Sequence, residues 1–133
     1  MRIAGYLAAA VGIATVGGAA NGGAGSPRSI SFEADVQPIF DENCVTCHQS
    51  GGAPQGLVLE DGKSWDSLLH GRSAESKLPL VAPGRPADSY LLHKLAGTQT
   101  TTGSGAPMPP GDPLAPDKLA IVQRWIVAGA PNN

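Results

Sequence analysis

The chain has 133 residues, 15% of them charged, and a formal net charge of −2. That length holds one domain, and that charge leaves no basic face for nucleic acid. With 18 glycines and 12 prolines it reads as a loop-rich domain with few regular elements. Its own apolar core would be thin without the added mass of a buried prosthetic group.

Residues 1–20, MRIAGYLAAAVGIATVGGAA, have the layout of a secretory signal peptide. Arg2 is followed by an apolar stretch from Ile3 to Val16, and Gly18 and Ala20 stand where a signal peptidase needs small residues. An uncleaved anchoring helix is the alternative, but the stretch is short and glycine-rich for a membrane span. Cleavage would leave the mature chain in an exported, oxidising compartment such as the periplasm. Without Arg2 it is one unit more negative. Residues 21–31 read as a flexible leader, and 32–133 as the folded domain.

A first helix is expected from Asp35 to Asn43. Asp35 would cap it, and Pro38 would fall in the first turn, where a missing amide proton has no intrahelical partner anyway. Val36, Ile39, Phe40 and Asn43 then share one face. Residues 51–62 are punctuated by glycine and proline and read as loop. Ser64 to Gly71 is a short helix, capped by Ser64, with Trp65, Leu68 and Leu69 inward and Gly71 as its stop. Arg85 to Gly97 is a clearer one. Pro86 takes the first helical position, Asp88 and Lys94 suit the two dipole ends, and Gly97 is the exit. Residues 98–112 have no pattern and form a long polar loop holding a single methionine, Met108; loops of that kind carry function. The last helix, Pro116 to Ala128, offers Leu119, Ile121, Val122, Trp125 and Ile126 as a broad apolar face. Strand alternation and internal repeats are missing, so the fold class is all-α.

The chemistry concentrates in Cys44-Val45-Thr46-Cys47-His48, which holds both cysteines of the chain. A structural zinc site would need a second ligand pair, and His70 and His93 are isolated. A redox dithiol would need the motif after a strand, within a βαβ pattern. A plain disulfide leaves His48 unexplained. C-x-x-C-H reads as c-type haem attachment. Each thiol adds across a haem vinyl group, the two-residue gap turns both sulfurs to one porphyrin edge, and His48 offers its imidazole as the proximal iron ligand. Met108, stiffened by Pro107, Pro109 and Pro110, is the candidate for the sixth position, where a thioether raises the reduction potential. His70 and His93 compete for that position.

With these residues in view the chain resembles class I c-type cytochromes, and among them planctomycete-type cytochrome c domains. The likeness runs through FEADVQPIFDENCVTCH, GLVLEDG, VAPGRPADSYLLHKLAG, MPPG and LAPDKLAIVQRWIVAGAP. It implies a small cytochrome c-like domain of three to five helices wrapped around one haem c. That haem would be bound through Cys44 and Cys47, with His48 proximal and Met108 distal. It also implies that the first and last helices cross through Phe40 and Trp125, and that a proline carbonyl, with Pro54 the nearest, accepts the histidine Nδ1–H.

The expected function is one-electron transfer by a monomeric, mono-haem carrier rather than an enzyme, because six-coordinate iron has no open position for a substrate. Leu57, Leu59, Trp65, Leu68, Tyr90, Leu91, Leu92 and Leu95 are pocket candidates. Arg72 and Arg85 are candidates for the propionates. The negative charge suits a basic redox partner protein. Two other readings are an accessory haem subunit of a larger oxidoreductase, and a ligand-binding sensor or peroxidase-like protein that loses Met108.

Overall fold

Helix formation starts upstream of the expected site, at a widened turn over Phe32–Val36. The computed structural model describes residues 28–133, so the expected signal peptide (1–20) and most of the leader lie outside them. At the leader's end, Ile30 already packs into the core. Ser31 caps the turn by accepting the Ala34 N–H at 3.2 Å, and the Asp35 carboxylate accepts the Ser31 N–H at 2.7 Å. This reciprocal cap satisfies donors that have no intrahelical acceptor. Asp35 therefore serves the cap from inside the helix and is not itself the N-cap. Its carboxyl is held below the usual carboxylate range, first by the Arg28 guanidinium and then by that Ser31 amide. Gln37 N–H reaches back five residues to the Phe32 oxygen. The wide turn makes room for Pro38, which has no N–H and whose ring would crowd the carbonyl four residues back.

The chain then continues as α1 (Gln37–Asn43), followed by α2 (Ser64–His70), α3 (Tyr90–Ala96) and α4 (Pro116–Val127). Short 3-10 turns stand at Pro54–Gly56, Pro86–Asp88 and Gln99–Thr101. Among the described residues there are isolated bridges, Arg72 to Pro79 and Ser76 to Gly103, but no strand, so the domain is all-α.

Two boundaries differ from the sequence reading. Ser64 is the first residue of α2 instead of its cap. Its hydroxyl is fully buried and donates to Gln37 Oε1, while Gln37 Nε2 donates to the Leu59 oxygen at 3.0 Å. That polar knot joins α1, α2 and the chain after the cysteine motif. The helix expected over 85–97 breaks at Ser89, whose extended backbone (φ −100°, ψ 107°) separates the Pro86–Asp88 turn from α3. The buried Ser89 hydroxyl stabilises the break, accepting Ala82 N–H at 2.9 Å and donating to Arg85 O at 2.9 Å. Gly97 ends α3 in the left-handed region at φ 72°, where a side chain would be strained.

The core lies between the opening turn, α1 and α4. Trp125 is fully buried, and its ring lies 5.0 Å from Phe32, which stands 6.2 Å from Phe40. The expected pairing of Phe40 with Trp125 is thus mediated by Phe32, on the turn that the sequence reading left outside the helix. Both indoles satisfy their N–H groups near the C-terminus, Trp125 on the Pro131 oxygen and Trp65 on the Ala130 oxygen, each at 2.9 Å. Asn133 closes the circuit by accepting the N–H groups of Phe32 and Glu33, each at 2.9 Å.

Candidate functional site

The cysteine motif continues directly from the end of α1. Cys44 N–H donates to the Phe40 oxygen at 2.8 Å. Cys47 and His48 N–H groups then both donate to the Cys44 oxygen, at 3.1 and 2.9 Å. One helical turn therefore carries the motif, and positions i, i+3 and i+4 share a side of such a turn. Cys44, Cys47 and His48 accordingly line one cavity of about 300 Å³. Both cysteines are free; Cys47 is exposed and Cys44 half-buried. Burial, then the neighbouring Cys47, pushes the Cys44 thiol up to about 11.

The loop after the motif is closed at its base. Leu59 N–H donates to the His48 oxygen at 2.8 Å, and His48 Nδ1 stands 2.9 Å from the Leu57 oxygen. A carbonyl can only accept, so Nδ1 carries a proton, and in the neutral ring Nε2 then has the lone pair. The expected acceptor, Pro54, lines the cavity, but its carbonyl is taken by the Leu57 N–H at 3.1 Å. Further along, Ser50 and Lys63 bond the Glu60 carboxylate at 2.6 and 2.9 Å, and with Ser50 first among the causes the Glu60 pKa falls to about 2.

Met108 lines the same cavity, 60 positions beyond His48, together with Pro109 and Pro110. Its N–H donates to the Lys94 oxygen at 2.9 Å, which fixes the loop to α3. All four expected site residues, Cys44, Cys47, His48 and Met108, are thus brought together. Phe40, Leu57, Leu59, Leu80, Leu91 and Leu95 supply apolar wall. Of the other expected wall residues, Tyr90 lines the cavity. Leu68 belongs to the core and Leu92 packs against it, so neither lines the cavity, and Trp65 turns to Ala130. Arg72 lines the cavity, whereas Arg85 faces Asp88 at 3.4 Å on the outer 3-10 turn.

The two other histidines lie outside. His70 is exposed and bonded to Asp66 at 2.7 Å. His93 has both ring nitrogens committed, to Thr98 Oγ1 and to the Ala87 oxygen, each at 3.0 Å. Among the described residues no group of three or more His, Cys, Asp and Glu side chains is gathered to hold a metal ion. A wider groove of about 520 Å³ runs between Arg28–Ile30 and the outer side of α4, but it is open to solvent and carries no Cys, His or Met. The smaller cavity is therefore the candidate site.

Sequence reasoning missed Glu75 and Leu80 in the wall, and read Lys94 only as a charge at a helix end. Glu75 sits in an irregular segment without periodicity, so no local signal marked it.

No family model matches the chain, and no curated protein does either. Among solved structures the chain is similar to hydrazine synthase of Kuenenia stuttgartiensis, at 26% sequence identity and a TM-score of 0.52. The match covers 77% of this chain and 16% of that one, so the fold seen here also occurs as a part of a much longer chain.

Proposed function

We propose that this protein is a mono-haem c-type cytochrome of the class I kind, exported to the periplasm, that carries one electron at a time. The observation that carries the reading is the convergence of two free thiols, an imidazole and a thioether on one apolar cavity. These residues fit a haem c by the chemistry of the donor set. Cys44 and Cys47 would hold it through thioethers, and His48 Nε2 and the Met108 sulfur would hold its iron. When bound, the group supplies a one-electron iron couple, whose potential a thioether ligand raises.

The chain's own residues do the rest. Leu57 O orients the His48 ring and selects the neutral tautomer that has its lone pair on Nε2. Lys94 O holds the Met108 backbone. The leucine walls exclude water, and Arg72 is placed to meet an anionic group at the rim. With His48 and Met108 both holding its iron, the group would have no position left for a substrate, so the domain would work as a carrier for a redox partner rather than as an enzyme. The overall negative charge favours a basic partner.

The test is to express the full chain alongside haem-attachment machinery and record its intact mass and pyridine haemochrome spectrum. A mass gain of one haem and a spectrum of a doubly thioether-linked porphyrin are expected. Colourless, unmodified protein refutes the reading.

A second reading is favoured by the match to a small share of the longer hydrazine synthase chain. On that reading the domain is an accessory haem module of a larger complex. Its recovery from native membranes or extracts as a stoichiometric subunit would support this second role, and recovery as a free monomer the first.

A further inference from the structure

Three segments remote in sequence meet at Glu75. Its main-chain oxygen accepts Ser104 N–H at 2.9 Å, and its carboxylate accepts Lys94 Nζ at 2.5 Å. This ion pair is sheltered, with the two side chains 23% and 12% exposed. Lys94 also presents its main-chain oxygen to the Met108 N–H. Its ammonium stands 5.7 Å over the Tyr90 ring, and the Tyr90 hydroxyl donates to the Ser104 oxygen. The loop is thus gripped at 104 and at 108, and Lys94 is common to both grips.

The fit at Glu75 leaves no room. A Cβ on Gly103 would lie 2.4 Å from the Glu75 main-chain oxygen, and one on Gly105 would lie 2.2 Å from Glu75 Oε1. Gly105 also has φ +80°, so a side chain there would be strained as well as obstructed.

We propose that the Glu75–Lys94 ion pair, seated against Gly103 and Gly105, is a latch that positions Met108 at the cavity. The loop has only a short 3-10 turn of its own, so its shape comes from its anchors. Lys94 is fixed by α3. Through its ammonium it holds Glu75, which in turn holds Ser104; through its carbonyl it holds Met108. A charge-assisted bond shielded from water is stronger than a surface pair. Breaking it leaves Ser104 held only through the Glu75 main chain and Tyr90, and loosens the loop that carries the sulfur. Glu75, Lys94 and Gly105 are positioning residues in this scheme. The role of the sulfur as an iron ligand rests on the function proposed above, whereas the latch itself does not.

The test uses the full chain with Glu75→Ala, Glu75→Gln or Gly105→Ala. Hydrogen exchange of the Met108 amide is measured relative to that of Val122, an interior amide of α4. The ratio should rise about tenfold in Glu75→Ala and Gly105→Ala, the size expected for losing one charge-assisted bond, and less in Glu75→Gln, which keeps the shape and an acceptor. In haem-loaded protein the charge-transfer band of an iron–thioether bond should weaken in the same order. If both the ratio and the band match the unchanged chain, the latch is overturned. Equal acceleration at Met108 and Val122 also overturns it, because that reports only lost global stability. If the ratio responds while the unchanged haem-loaded chain shows no thioether band, the axial role of Met108 fails and the latch stands.

Discussion

Met108, His70 and His93 make unequal claims on the iron of the proposed haem. Met108 lines the cavity, whereas His93 has both nitrogens engaged and His70 faces Asp66. If the proposed haem is bound, Met108→Ala should therefore abolish an iron–thioether band and open the iron to carbon monoxide, while His70→Ala and His93→Ala leave the spectrum unchanged. A band that survives in Met108→Ala would remove Met108 from the ligand set. At Glu60 the prediction concerns pH. Its folded-state pKa of about 2 lies below the ordinary 4.5, so its stabilising effect is complete above 4.5 and lost as pH falls towards 2. Glu60→Gln should lower the melting temperature slightly near neutral pH, and the gap from the unchanged chain should close across that window. The effect is small and shrinks with salt, because the group is exposed. A gap that stays constant down to pH 2 would show that the carboxylate charge plays no part. The candidate ligands themselves were legible in the sequence, since C-x-x-C-H and a lone methionine in a proline-rich loop are local patterns. The Pro54 assignment failed because its carbonyl is consumed by its own 3-10 turn, a detail of backbone geometry that residue type does not encode.

At the scale of elements, the opening turn is the most informative. Its cap links Ser31 and Asp35 reciprocally, and Asn133 adds two further acceptors. Ser31→Ala should lower stability by about 1 kcal/mol, read as a lower urea midpoint at unchanged slope. No shift in the midpoint would mean that the Ala34 N–H is satisfied equally well without the Ser31 hydroxyl. The four helices were legible from periodicity, capping residues and the glycines and prolines around them. Their edges were less so. Pro38 pointed to a helix start near Asp35, but a widened turn let the helix begin earlier. Ser89 interrupted a continuous helical pattern because its buried hydroxyl bonds Ala82 and Arg85 better than a helix could. Loop 98–112 was expected as patternless, and apart from its 3-10 turn it is so. Its order comes from remote partners, Glu75, Ser76, Tyr90 and Lys94.

At the scale of the whole molecule, one aromatic cluster joins the two ends of the domain. Phe32 lies between Phe40 and Trp125, and Trp125 is fully buried while Trp65 is partly exposed. Trp125→Ala should cost about 3–5 kcal/mol, and Trp65→Ala clearly less. Equal losses would show that the C-terminal hydrogen bonds of the two indoles matter more than their burial. Among the described residues no helix is long and apolar enough to cross a membrane.

By itself the sequence determined the helical class, the turn that carries Cys44, Cys47 and His48, and the proline-bracketed loop around Met108. Each of these rests on backbone sterics and on spacings of a few residues. Only the tertiary structure decided that Leu57 orients His48, that Phe32 meets Trp125, and that Glu75 and Lys94 hold the Met108 loop. Those contacts join positions separated by long stretches of irregular chain. Such chain has no period from which a facing partner can be counted, so the pairing depends on how the segments close over one core.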